Sequence, residues 1–241
     1  MTNEELIEKM KKDMKLRNFS HYTYDSYLRK IRDVIRYFGR KQLEEATTEE
    51  LRDFLLKYLK DERKVSDRTI NYYNSVIRFA YEVTLDKLIN KKQLPMRKGK
   101  KGIYKVLTKE ELSTFFNCID NFKFKTIFML VYGSGLRIGE VTNLSIEDID
   151  SKKMRIFVKE GKGNKERYTI LPEESLKMLR EYWQHHRQHT KETKIFLNES
   201  GEAITVGVIR KHFRQYRRKA KLNEKVTVHT LRHCFATDLI E

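Results

Sequence analysis

Cysteine is scarce in this chain of 241 residues, and long apolar runs are absent from it. Two cysteines, Cys118 and Cys234, cannot build a disulfide framework, which predicts a reducing compartment. No stretch approaches the roughly 18 uninterrupted apolar residues that a membrane-spanning helix needs. Met1 is followed by polar residues and then by an amphipathic pattern, which is typical of neither a signal peptide nor a transit peptide. We therefore expect a cytoplasmic protein that crosses no membrane.

The chain also lacks the groupings that hold a metal ion or a nucleotide. His185, His186 and His189 lie close together, but their neighbours are polar and no carboxylate or cysteine partner stands out, which favours a surface helix. The Gly-Lys-Gly segment at 161–163 lacks the spacing of a nucleotide-binding phosphate loop and lies between two predicted strands. We expect no metal site, no cofactor and no ATP dependence.

Acidic side chains are outnumbered by basic ones, 34 to 51, which gives a formal net charge of +17 and a sequence pI near 9.7. A field of this sign attracts polyanions, and nucleic acid is the principal polyanion inside a cell, although basic chains also bind acidic membranes. The segment 91–105 contains seven basic residues, no acidic ones and Pro95. We expect it to be a solvated linker that does not pack into a core. A linker can also contact DNA, and we expect Lys98, Lys100 and Lys101 to do so.

Residues 1–90 have the apolar spacing of helices only. Apolar residues recur at steps of three and four up to Gly39, which provides a stop. Thr47 and Glu50 form a capping-box pattern ahead of another helix, and a further helix is predicted from Ser66. With the opening segment, this region predicts a four-helix domain. Its aromatic stripe is more typical of a core than of a surface that stacks on bases.

Residues 106–241 combine helices with a few strands. Thr108 and Glu111 form a second capping-box pattern, and an apolar helix follows that ends at Gly133–Gly135. The segments 154–159 and 167–171 are rich in β-branched and aromatic residues, which predicts a hairpin with its turn at 161–165. Further predicted elements are short helices at 136–144 and from Pro172, a short strand at 195–197 and a strongly patterned helix at 206–220. The sequence thus predicts a mainly α chain with a small antiparallel β-sheet.

Basic residues follow one face of the predicted helix at 206–220. Arg210, Arg214, Arg217 and Lys221 share this face, and no acidic residue interrupts it. A row of this kind can follow a phosphate backbone and release counterions, so we expect these four residues to contact DNA. An ordinary solvated helix face is the alternative.

Three short motifs gain meaning from their order along the chain. They read Gly-Leu-Arg-Ile-Gly-Glu at 135–140, Gly-Lys-Gly-Asn-Lys-Glu-Arg at 161–167 and His-Thr-Leu-Arg-His at 229–233. In this order they resemble the tyrosine recombinase (phage integrase) family, and most of all its Xer-like bacterial members. The resemblance covers nearly the whole chain, whereas each motif by itself is common.

The resemblance implies a fold and an activity. It implies a helical core-binding domain at 1–90, a basic linker at 91–105 and a mixed α/β catalytic domain at 106–241. Family members cut one DNA strand at a time through a 3′-phosphotyrosine, release a 5′-hydroxyl and rejoin the strands without metal or ATP. Double-stranded DNA is then the expected partner, with a homotetramer forming on it in a full-length protein and a location at the bacterial nucleoid.

The resemblance also implies residue roles. Arg137 and Arg232 match the two family arginines, whose paired N–H groups stabilise the negative charge of a five-coordinate phosphorus. Lys162 matches the hairpin lysine that protonates the departing 5′ oxygen. His229 matches the histidine that assists proton transfer or holds the phosphate. Glu140 matches a position that supports the fold or orients the arginine.

One part of the family pattern does not occur in residues 1–241. The family has a second histidine or tryptophan and then the nucleophilic tyrosine downstream of the His-x-x-Arg motif, and none of the 13 tyrosines follows Arg232. We therefore expect this chain to bind phosphate without cleaving DNA covalently, as a form shortened before its nucleophile. A non-catalytic DNA-binding protein that occupies recombination sites is the alternative. A generic RNA-binding protein is a weaker one, because no common RNA-module signature is present.

Overall fold

The computed structural model describes residues 1–90, 92–99, 106–159, 166–188 and 190–240. The chain forms two compact units, Met1–Lys101 and Gly102–Glu241, each with its own hydrophobic core. The described residues are mainly helical, with one small antiparallel sheet, which confirms the predicted fold class. Within these ranges no helix is both long and apolar enough to cross a membrane.

All regular secondary structure in the described part of the first unit is helical. Helices α3 and α4 each continue directly into a π-helical segment, and a single 3-10 turn precedes α3. The bounds are α1 (Asn3–Leu16), α2 (His21–Phe38), the 3-10 turn (Leu43–Glu45), α3 (Thr48–Asp53) with Phe54–Glu62, and α4 (Asp67–Arg78) with Phe79–Leu85.

Local capping explains where these helices begin and end. Gly39 adopts a φ of 63° at the end of α2, a conformation that costs glycine little. The side chains of Thr47 and Glu50 form the predicted capping box at α3, and the Ser66 hydroxyl accepts a hydrogen bond at the start of α4. The aromatic stripe contributes to the core, as predicted, with Tyr73 and Tyr81 buried.

The first part of the basic linker packs against the helical unit, so the expectation that 91–105 stays out of the core is wrong there. Leu94 is 2% exposed and belongs to the core of this unit. The Asn74 amide donates a hydrogen bond to the Leu94 carbonyl oxygen, and Asn71 pairs with both the N–H and the C=O of Arg97. The charge of this segment predicts that it stays in solvent. Instead, the Leu94 side chain and two asparagine amides on α4 hold it against the helical unit.

The second unit packs its helices around α6. This helix contacts α8, α10 and the third strand, and most of its side chains are buried. The helices are α5 (Lys109–Asn117), α6 (Phe122–Ser134), α7 (Ile138–Asn143), α8 (Glu173–Glu181) with a π-helical end (Tyr182–His186), α9 (Val206–Lys219) and α10 (Val228–Asp238). A 3-10 turn at Ile146–Asp148 leads into the sheet.

The sheet has three antiparallel strands in the order of the sequence. They are β1 (Ile149–Asp150), β2 (Arg155–Val158) and β3 (Arg167–Ile170), with Val158 opposite Arg167. The predicted hairpin strands are present, β1 is an addition, and the predicted turn at 161–165 lies outside the described residues. The predicted strand at 195–197 is wrong. This segment is buried in the core, but only isolated bridges form there, at Lys194 and Leu197, so its apolar run reflects burial rather than strand pairing.

Candidate active site

Three segments of the second unit converge on one cluster of charged side chains. Arg137 lies at the start of α7 and Glu140 in its first turn, the start of β3 supplies Arg167, and α10 supplies His229 and Arg232. His229 and Arg232 are three residues apart and therefore share a face of α10. The sequence-predicted residues at positions 137, 140, 229 and 232 are thus brought together.

The end of α6 fixes the geometry of this cluster. Gly135 closes the helix in the left-handed region, with φ 60°. Its carbonyl oxygen accepts a hydrogen bond from Arg232 Nη1, and the Ser134 carbonyl oxygen accepts one from Thr169 Oγ1 at 2.7 Å. The last carbonyl groups of a helix have no partner within it and carry a partial negative charge, so they attract such donors. The end of α6 therefore ties both α10 and β3 to the turn that carries Arg137.

Glu140 is the buried anion of the cluster. Its side chain is 5% exposed, and its two oxygens accept four hydrogen bonds. Oε1 accepts from Arg137 Nη1 and Arg167 Nη1, both at 2.8 Å, while Oε2 accepts from Arg167 Nη2 at 2.7 Å and from the Arg137 backbone N–H at 2.8 Å. Burial alone would raise the pKa of Glu140, but the two arginines lower this pKa to about 2, so the carboxylate stays ionised.

Cations dominate the rest of the cluster. Burial and then the nearby Arg137 lower the pKa of Arg232, which remains charged. Burial, His233, Arg232 and Arg137 lower the pKa of His229, so its imidazole is neutral at pH 7. Three guanidinium groups beside one carboxylate leave an excess of positive charge. The cluster has the chemistry of a site for an anion with several oxygen atoms.

A basic groove adjoins the cluster. Its lining includes Ile138 and His229 together with Arg210, Arg214 and Arg217 of α9. Arg210 and Arg214 are exposed to solvent. Arg217 donates hydrogen bonds to the carbonyl oxygens of residues 224 and 226 and so also supports the loop between α9 and α10.

The remaining predicted residues lie apart from the cluster or outside the described residues. Lys221 follows α9 and is exposed, but it does not line the groove. Lys98 is an exposed residue of the first unit. Lys162, Lys100 and Lys101 lie outside the described residues.

Sequence reasoning missed Arg167. This residue ends the Gly-Lys-Gly-Asn-Lys-Glu-Arg motif, but the family resemblance assigns a role only to the lysine at 162. The one signal in the sequence is that Arg167 stands at the start of a predicted strand, directly after the turn that carries the motif lysine. Only the fold shows that Glu140 is its partner.

Two tyrosines of the second unit have carboxylates as hydroxyl partners. Tyr132 donates to Asp238 at 2.6 Å, and Tyr216, buried on the apolar face of α9 as predicted, donates to Asp120 at 2.8 Å. Burial and these carboxylates raise the pKa of Tyr132 and of Tyr216 to about 12, which disfavours the phenolate. Neither tyrosine is arranged as an activated nucleophile.

No metal centre is found in the part of the chain that the structure describes. No three histidine, cysteine, aspartate or glutamate side chains there are grouped closely enough to hold an ion. His185 and His186 belong to the π-helical end that follows α8, and His186 stacks on Phe122, whereas His189 lies outside the described residues.

The structure thus combines a helical unit with a mixed unit that contains a guanidinium cluster. Family comparison identifies the class. Residues 105–241 match the phage integrase family, and residues 6–91 match the N-terminal SAM-like domain of phage integrases. The chain belongs to the phage integrase family.

Curated relatives agree with this assignment. The chain is 34% identical to the putative integrase/recombinase y4qK of Sinorhizobium fredii, over 98% of the chain and 76% of the relative. It is 33% identical to the tyrosine recombinase XerA of Pyrococcus furiosus, over 85% of the chain and 72% of the relative.

Solved structures share the fold. The integrase of the Tn1549 transposon, in complex with transposon right end DNA, matches with a TM-score of 0.79 at 20% identity, over 99% of this chain and 86% of that one. A lambda integrase tetramer bound to a Holliday junction matches with a TM-score of 0.76 at 18% identity, over 98% and 72% of the two chains.

We predict that Gly135→Ala disrupts the cluster. A Cβ atom at Gly135 would overlap the ring of Phe235 on α10, and the φ of 60° is itself unfavourable for alanine. The variant should lose about 2 kcal/mol or more of unfolding free energy, measured by urea denaturation. The control is Gly139→Ala on α7, where an added Cβ meets no atom within 4 Å. This control should be neutral or slightly stabilising, and equal losses in both variants would contradict the prediction.

Proposed function

We propose that this protein is a site-specific DNA recombinase whose second unit binds the scissile phosphate between Arg137 and Arg232. Membership of the phage integrase family supports DNA strand breaking and rejoining in general. The observation that carries the specific proposal is the cluster of Arg137, Arg232 and neutral His229 beside a basic groove.

The two arginines act on the charge that develops at phosphorus. When an oxygen nucleophile attacks a phosphodiester, the five-coordinate transition state carries extra negative charge on its non-bridging oxygens. The N–H groups of Arg137 and Arg232 that are not used by Glu140 and Gly135 can donate to those oxygens. Because the two side chains are already fixed by protein contacts, little reorganisation is needed when the phosphate binds.

Proton transfer is assigned to two further residues. A tyrosine oxygen forms a bond to phosphorus as the bond from phosphorus to the 5′ oxygen breaks, and the electron pair of that bond leaves with the 5′ oxygen. His229 is neutral and can accept the tyrosine proton or hold the phosphate. We assign Lys162 to protonation of the departing oxygen on the family motif alone.

The nucleophile is proposed to come from outside residues 1–241. Tyr132 and Tyr216 are bonded to carboxylates, and none of the 13 tyrosines follows the motif at 229–233. The chain as given should then bind DNA without forming a phosphotyrosine.

Duplex DNA is the proposed partner. Arg210 and Arg214 line the groove next to His229, and we propose that they contact phosphates near the scissile one. Arg217, Lys221 and the linker residues Lys98, Lys100 and Lys101 are proposed as further phosphate contacts. Two solved integrases of the same fold are bound to DNA, one of them as a tetramer, which supports a homo-oligomer on DNA. We also propose a cytoplasmic location at the nucleoid, where bacterial DNA lies.

A second candidate function is a non-catalytic one. A DNA-binding form without a nucleophile would occupy recombination sites and compete with a complete recombinase. The observation that favours it is that Tyr132 and Tyr216 are hydrogen-bonded to carboxylates and are not arranged as activated nucleophiles. A reading frame that continues with a histidine and a tyrosine would favour the recombinase instead.

We predict that residues 1–241 form no covalent adduct with a nicked suicide duplex selected for tight binding. The measurement is a denaturing gel of the protein–DNA mixture. Fusion of the C-terminal segment that follows the matching arginine in the Pyrococcus furiosus XerA relative should create an adduct, and Arg137→Ala in that fusion should abolish it. An adduct with the unextended chain would contradict the missing nucleophile, and a folded, DNA-binding fusion that forms none would favour the non-catalytic role.

We predict that Arg210→Gln together with Arg214→Gln lowers the salt dependence of DNA affinity. Each lost phosphate contact removes about 0.9 from the slope of log affinity against log salt concentration, so the slope should fall by about 2. Lys177→Gln with Arg180→Gln on the exposed face of α8 is the matched control and should leave the slope unchanged. Equal slopes for both pairs would remove α9 from the DNA interface.

A further inference from the structure

Arg167 is the cation of the cluster to which the recombinase motifs give no role. It forms a two-bond contact with Glu140, through Nη1 to Oε1 at 2.8 Å and through Nη2 to Oε2 at 2.7 Å. The same carboxylate holds Arg137. We propose that Arg167 is a positioning residue, which fixes the Glu140 carboxylate and thereby orients Arg137 toward the scissile phosphate. This inference rests on the proposed function of the pocket.

Arg137 and Arg167 share the two carboxylate oxygens of Glu140, and this sharing explains how Arg167 affects the orientation of Arg137. With Arg137 alone, Glu140 would face a single guanidinium group and could draw it into a closed pair. Because Arg167 occupies one position on each oxygen, Glu140 keeps only one side-chain contact with Arg137, at Nη1. Arg137 Nε and Nη2 make no hydrogen bond to the described residues, so these donors remain for a phosphate.

Burial of Glu140 makes its contact with Arg167 difficult to replace by water. The Glu140 side chain is 5% exposed, whereas those of Arg137 and Arg167 are 37% and 31% exposed. Water therefore cannot easily take the place of Arg167 on the carboxylate, and a buried carboxylate with an unfilled hydrogen-bonding position is costly. Loss of the Arg167 fork should let Glu140 rotate toward Arg137.

The backbone of Arg167 is itself well fixed. Arg167 pairs with Val158 in the sheet, and Thr169, two residues along β3, donates to the Ser134 carbonyl oxygen at the end of α6. The guanidinium group thus projects from a strand that is tied to the same turn as Arg137. This anchoring suits a residue that transmits position rather than one that contacts the substrate.

Arg167→Lys separates positioning from charge. Lysine keeps the positive charge but cannot bind both carboxylate oxygens through a planar fork. The matched control is Arg155→Lys on β2, since Arg155 also pairs with a carboxylate, Asp150, at 3.0 Å and its side chain is similarly exposed, at 33%. Both variants leave net charge unchanged.

The experiment measures two quantities in the full chain, with inorganic phosphate as the probe. One is phosphate affinity by NMR titration, and the other is the line width of the assigned Arg137 Nε–H signal. Arg167→Lys should weaken phosphate affinity about tenfold, within the range for residues that orient a ligating group, and broaden the Arg137 signal. Arg155→Lys should match the wild type in both.

Wild-type affinity and a sharp Arg137 signal in Arg167→Lys would overturn the inference. If this variant unfolds, Glu140→Gln combined with Arg167→Gln removes the buried charge together with its partner and keeps the net charge. This double variant should also bind phosphate more weakly than the wild type. Wild-type phosphate affinity in the double variant would overturn the inference as well. If the wild type binds no phosphate, or binds it as well as Arg137→Ala does, the proposed function of the pocket fails instead.

Discussion

Repulsion between guanidinium groups is the constraint on which the second unit depends. Arg137, Arg167 and Arg232 lie close enough to influence one another electrostatically. The buried carboxylate of Glu140 compensates part of this charge and holds two of the three groups at fixed distances. Among the described residues, three guanidinium groups face the one carboxylate of Glu140, so the cluster keeps an excess of positive charge, which favours an anion.

The fold supplies the rest of the geometry through the end of one helix. Gly135 lets the chain leave α6 in a left-handed conformation, and the neighbouring carbonyl oxygens bind Thr169 of β3 and Arg232 of α10. Phe235 packs where a side chain at Gly135 would otherwise lie. Strand, turn and helix are therefore positioned by one short segment, which brings their charged residues together.

Sequence patterns predict the parts of this protein that depend on local rules. Capping boxes at Thr47 and Thr108 and the stop at Gly39 need only neighbouring residues, and all three are present. The order of three motifs likewise identifies the family. Local rules do not predict contacts between residues that are distant in the sequence. The contact of Arg167 with Glu140 spans 27 residues. The linker packs on the first unit because two asparagines on α4 bind its backbone. The buried segment at 195–197 has the composition of a strand but lacks a pairing partner of sufficient length.

We propose that the cation cluster is a phosphate site, and the pKa of His229 tests this proposal most directly. NMR titration of the His229 ring protons should give a pKa below the ordinary value of 6.5 in the free protein, because burial, His233, Arg232 and Arg137 oppose protonation. Inorganic phosphate should raise this pKa, since a bound anion offsets those positive charges. A His229 pKa that stays the same at saturating phosphate would contradict the account.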